Sequence, residues 1–66
     1  MENRIKEFRQ QKRMTQEELA KKSKVSRAII SGLESGRTEV TTTGTLSKIA
    51  EALEKTVGEI FFTDTV

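Results

Sequence analysis

The stretch from Gln16 to Ser35, QEELAKKSKVSRAIISGLES, constrains this chain more than any other. Leu19 and Ala20 mark the inner side of one short helix, and Val25 lies in a turn. Ile30 and Leu33 stand three apart, so a second short helix buries them on one face. Thr15 reads as the N-cap of the first helix. Its hydroxyl can accept from a free N–H of the first turn, and Glu18, three residues on, completes a capping box. Ser26 plays the capping role for the second helix. Two capped helices separated only by Lys24 and Val25 form a helix-turn-helix over about residues 16–35.

The remainder of the chain supplies three more helices. Asn3 to about Arg13 carries Ile5 and Phe8 inward, with Met14 closing the end and Arg4, Lys6, Lys12 and Arg13 pointing outward. Gly36 is suited to end the second motif helix in a left-handed conformation. Arg37 to Thr41 reads as a loop. Of the caps offered by Thr41, Thr42 and Thr43, Thr42 is the choice for a helix carrying Leu46, Ile49, Ala50 and Leu53 at helical spacing. Thr56 and Glu59 repeat the capping box ahead of a last short helix, Val57 to about Phe62, and residues 63–66 are expected to fray. No strand pattern competes, so the expected fold class is all-α, with five helices in one domain over 1–66. The expected core is Ile5, Phe8, Leu19, Val25, Ile30, Leu33, Leu46, Ile49, Leu53 and Ile60. Phe61 and Phe62 are adjacent and cannot both face it. One packs inside, and the other is a candidate for contact with a second copy.

Composition removes whole classes of function. With 66 residues and neither cysteine nor histidine, the chain lacks a thiolate nucleophile, the commonest general base and the commonest metal ligand. It also has little volume for a closed pocket. No enzyme activity, metal or cofactor is expected. No apolar run approaches the roughly 20 residues of a membrane span, and MENRIKEFRQ has no apolar signal region, so a soluble, cytoplasmic protein is expected. The net charge is only +2, but it is unevenly spread. Residues 1–40 hold ten Lys/Arg against six Asp/Glu, and residues 41–66 hold two against four. The basic half contains the helix-turn-helix, as suits a domain docking one side on phosphates.

The segments RMTQEELAKKSKVSRAIISGLESG, LSKIAEAL and GEIF together resemble the helix-turn-helix domain of phage Cro and lambda-type repressors, the xenobiotic-response-element (XRE) family. The resemblance spans about residues 4–62. It implies a compact five-helix lambda-repressor-like fold, a homodimer, and double-stranded operator DNA as the partner. Three loop positions depart from the family. Lys24 and Arg13 stand where glycine is usual, and Glu39-Val40-Thr41 lacks the usual proline. A lysine held at φ > 0 costs around 1 kcal/mol.

The resemblance also assigns roles. Base-reading positions are Arg27, Ala28, Ser31 and Gly32, on the side of the second motif helix opposite Ile30 and Leu33. Arg27 is the long hydrogen-bonding side chain among them, suited to guanine O6 and N7 or to a phosphate. Ala28 suits a thymine methyl, Ser31 either class of base, and Gly32 a close approach. Phosphate contacts are Gln16 at a helix N-terminus, Ser26 beside its capping role, Arg37 past the helix end, and Lys24 in the turn. Arg9 and Glu34 are paired as a structural salt bridge between the first and third helices. The contact between copies falls to Phe61 or Phe62. Ile29 is left with three options: a thymine methyl, packing beside the preceding helix, or solvent.

The leading expectation is a DNA-binding transcriptional regulator, a repressor acting as a homodimer on a near-palindromic operator. Two alternatives share the fold. One is an antitoxin or restriction–modification controller with a protein partner. The other is a protein-interaction module that has lost DNA binding, which loss of Gln16, Arg27 and Arg37 would favour; all three are present.

Overall fold

The computed structural model describes residues 3–37 and 42–61. Five helices follow one another: α1 (Ile5–Gln11), α2 (Gln16–Ser23), α3 (Arg27–Ser35), α4 (Thr43–Ala52) and α5 (Val57–Phe61). No strand occurs among the described residues. Each cap expected from a hydroxyl residue is in place. The Thr15 hydroxyl accepts from Glu18 N–H at 3.0 Å, and the Glu18 carboxylate accepts from Thr15 N–H at 2.8 Å. Thr56 and Glu59 make the same exchange at 3.1 and 2.9 Å. Ser26 accepts from Ile29 N–H, and Thr42 from Thr45 N–H.

The first helix is shorter than the sequence suggests, and the reason is non-local. Asn3 does not enter the helix. Its side-chain oxygen accepts from Ile5 N–H, and its amide donates to the Leu33 carbonyl on α3 at 2.9 Å. At the other end Arg13 turns to φ +55. Lys24 (φ +60) and Glu54 (φ +58) do likewise, and all three stand two residues before an N-cap. The residue after each, Met14, Val25 or Lys55, donates its N–H back to a carbonyl five residues earlier, at 2.9–3.2 Å. One Schellman-type turn is therefore used three times with no glycine in it. Gly36, at φ +82, ends α3 as expected.

α2 packs on α3 and α4, α1 on α3, and α4 on α5. Their inward stripes meet in a single core of Ile5, Phe8, Leu19, Val25, Ile30, Leu33, Ile49, Ala50, Ala52, Leu53, Ile60 and Phe61. Leu46, expected in it, is only half-buried against its edge. Ser23 is buried too. Its hydroxyl donates to the Leu19 carbonyl at 2.7 Å and accepts from Val25 N–H, so this buried side chain is paired. The buried Phe8 ring lies within cation–π reach of two cations, Arg4 at 4.7 Å and Lys55 at 4.9 Å from its centroid.

One of the two candidates for a contact between copies is removed at the C-terminal end. Phe61 is not a contact for a second copy, because the fold buries it to 4% exposure. The Arg4 N–H bonds to the Ile60 carbonyl at 2.9 Å, tying α5 to the chain just before α1. Phe62 and the tail 63–66 lie outside the described residues.

Candidate nucleic-acid interface

The capping of α3 decides which of its side chains meet solvent. With Ser26 outside the helix and Gly36 ending it, Ile30 and Leu33 are fully buried. Arg27, Ala28, Ile29 and Ser35 are exposed, and Ser31 is half-buried. An open groove on this outer side is lined by Gln16, Arg27, Ala28, Ser31, Gly32 and Arg37. All four positions expected to read bases and two of those expected to hold phosphates thus share one surface. Arg27 is exposed and makes no hydrogen bond or ion pair among the described residues.

Gln16 is fixed from behind. Its amide donates to Glu34 Oε1 at 3.2 Å. The same carboxylate takes two hydrogen bonds from Arg9, Nε to Oε2 at 2.8 Å and Nη2 to Oε1 at 3.1 Å. The remaining Arg9 nitrogen donates to the Met14 carbonyl at 2.7 Å. The Arg9 and Glu34 side chains are 11% and 5% exposed, so this is a buried, bidentate pair joining α1 to α3. Sequence reasoning paired Arg9 with Glu34 but missed that Glu34 also orients the first residue of α2. Gln16 and Glu34 are eighteen residues apart, and no local signal links them.

Arg37 returns over the helix it follows. Its Nε donates to Ser35 Oγ at 3.0 Å and its Nη2 to Ser31 Oγ at 3.4 Å. Ser31 and Ser35 stand four apart on one face, so one guanidinium reaches both hydroxyls once the chain turns back at Gly36.

Two expected residues stand apart from the groove. Ser26 is exposed at the start of α3, its hydroxyl engaged as the cap. Lys24 lines a different hollow with Lys22, Ser23, Lys48, Glu51 and Ala52 on the α2–α4 side. Ile29, at 36%, is the exposed large apolar side chain of the described residues and does not line the groove.

The groove carries two guanidinium groups, and the chain has no histidine. Four carboxylates elsewhere are held below the usual carboxylate range. For Glu18 and Glu59 the cause is the backbone N–H of Thr15 and Thr56 respectively. For Glu7 it is the bond from Arg4, and for Glu54 the bond from Lys12. No group of three or more Asp or Glu among the described residues could hold a metal ion, and no described helix is long and apolar enough to cross a membrane.

Against known families, residues 5–60 match the model described as "Helix-turn-helix". No curated protein matches the chain.

Proposed function

Since the chain belongs to the helix-turn-helix family, the XRE-type DNA-binding transcription regulators, we propose that it is a repressor that reads operator DNA by laying α3 in the major groove. Its five-helix architecture fits the lambda-repressor-like fold of that family. One observation carries the reading: the exposed side of α3 and the first residue of α2 line a single open groove with two guanidinium groups in it. Arg27 reads a guanine through its paired N–H donors, and the Ala28 methyl meets a thymine methyl. Gln16, held by Glu34, gives its second amide hydrogen to a phosphate at the rim, where the free N–H groups of α2 also point. Ser26 and Lys24 add phosphate contacts at the edge of the docked surface.

The operator is near-palindromic and is bound by two copies. Nine residues of α3 are about 13.5 Å long at 1.5 Å per residue, about four base pairs. A single helix of that length specifies too few bases to pick one site, and a symmetric pair doubles the number.

The test is a titration of the wild-type chain and Arg27→Ala on an operator selected from random duplexes and on a scrambled duplex. We expect Arg27→Ala to lose roughly 1–3 kcal/mol per half-site on the operator, to relax preference at one base pair, and to bind the scrambled duplex nearly as before. Equal weakening on both duplexes makes Arg27 a phosphate ligand and removes the base reading assigned to it.

A further inference from the structure

We infer that Arg37, rather than Ser31, is the second base-reading side chain of the groove, and that its target is a guanine; the inference rests on the proposed docking of α3 in DNA. A guanidinium has five N–H donors in a fixed planar fork, with a side edge formed by Nε and Nη2 and an end edge formed by Nη1 and Nη2. In Arg37 the side edge is occupied. Nε–H goes to Ser35 Oγ and Nη2–H to Ser31 Oγ. The Ser35 hydroxyl spends its own hydrogen on the Gly32 carbonyl at 3.2 Å, which fixes its lone pairs toward Arg37. Among the described residues nothing bonds the end edge, which presents two parallel N–H donors, the pattern that matches O6 and N7 of guanine.

The anchoring also decides where that edge lies. Arg37 follows the end of α3, where a side chain extended away from the helix would meet the sugar–phosphate backbone. Bonded to Ser31, its guanidinium lies back over the middle of the helix, in the groove that Arg27 also lines. The rest of the groove lining is the Ala28 methyl, Gly32, the Ser31 hydroxyl that accepts from Arg37, and Gln16, whose amide donates to Glu34. Ser31, whose oxygen accepts from Arg37, acts as a positioning residue. The half-site preferred by this chain therefore has two guanine-specified positions, one set by each arginine.

The experiment is selection of bound duplexes from a random pool by the full-length wild-type chain, Arg37→Gln, and the double variant Ser31→Ala/Ser35→Ala, followed by affinities on the selected and a scrambled duplex. Arg37 and Ser35 are exposed, and melting curves check that each variant is folded. We expect the wild type to enrich two guanine positions per half-site. Arg37→Gln should lose the guanine at one of them, with a shift toward adenine, which Gln pairs through N6 and N7. Its ratio of specific to scrambled affinity should fall about 5- to 150-fold per half-site, the worth of one bidentate pair. The double serine variant should blur the same position while keeping all its charge. If Arg37→Gln weakens both duplexes in parallel and leaves the enriched sequence unchanged, Arg37 is a backbone contact and the inference is overturned. If the serine variant erases a base that Arg37→Gln retains, Ser31 is the reader. A wild-type chain that enriches no sequence defeats the proposed function itself.

Discussion

At the scale of single residues, Glu34 does the most varied work. It accepts from Arg9 on α1 and from Gln16 on α2 while standing on α3, and its side chain is 5% exposed. Removing one member of a buried pair leaves the other charge without a partner. Glu34→Leu alone is expected to lose roughly 3–5 kcal/mol, a large part of what a domain this small has. Arg9→Met with Glu34→Leu is expected to recover most of that loss, because two well-packed apolar side chains can replace a buried ion pair at little cost. Chemical denaturation of the two single variants and the double closes the cycle. A double variant as unstable as the singles would mean that the Met14 and Gln16 hydrogen bonds, not the charge balance, make Glu34 necessary. The same residues illustrate what the sequence discloses. The spacing of α3 identifies its outer side chains from Ile30 and Leu33 alone. The return of Arg37 onto Ser31 depends on the chain direction set by Gly36 at φ +82, which spacing does not encode.

At the scale of helices and turns, the local code is well written and the non-local one is not. Each hydroxyl cap was legible because its acceptor lies three residues away in the chain. The start of α1 was not, because Asn3 satisfies the Leu33 carbonyl thirty residues on. The turn at Glu54 was not, since no glycine or asparagine marks it. Nor could the sequence choose between Phe61 and Phe62; the bond from Arg4 N–H to the Ile60 carbonyl sets how α5 meets the core. A lysine at φ +60 pays about 1–2 kcal/mol in steric crowding, and glycine gives back about 0.5–1 in chain entropy. Lys24→Gly is therefore expected to stabilise by about 1 kcal/mol or less, raising the melting temperature by a few degrees. A lower melting temperature would show that the Lys24 side chain contributes packing that outweighs the strain. The capping boxes make a second prediction. Glu18 and Glu59 titrate below their ordinary range in the folded state. The stability they add is fully present above the unfolded carboxylate value and is lost as pH falls through the lower, folded value. With no histidine, the side chains hold stability flat from about pH 6 to 8, and acid then erodes it. Glu18→Gln/Glu59→Gln keeps both boxes, since Gln also serves at that position, but cannot titrate. Its melting temperature should fall less between pH 7 and pH 3 than that of the wild type; an identical fall would assign the acid sensitivity to Glu7 and Glu54.

For the whole molecule, the proposed dimer rests on DNA geometry, and with Phe61 interior the aromatic candidate for a contact between copies is Phe62. Two copies on successive major grooves, about 34 Å apart, should bind the operator with a stoichiometry of two. Each copy presents its basic side, so the slope of log affinity against log salt should be close to twice that of an isolated half-site. Sedimentation of the protein with full and half operators, at several salt concentrations, reads both quantities. One copy per full operator would overturn the dimer.

The two sides of α3 have a consequence for how such a protein diverges. Ile30 and Leu33 belong wholly to the core, while Arg27, Ala28, Ser31 and Arg37 belong to the groove, and no side chain of the helix serves both. Substitutions among the groove residues leave the apolar packing untouched, and the buried anchor at Glu34 does not depend on them. A lineage can thus rewrite its target site in single steps without passing through unfolded intermediates, and duplicated copies can separate their regulatory circuits quickly.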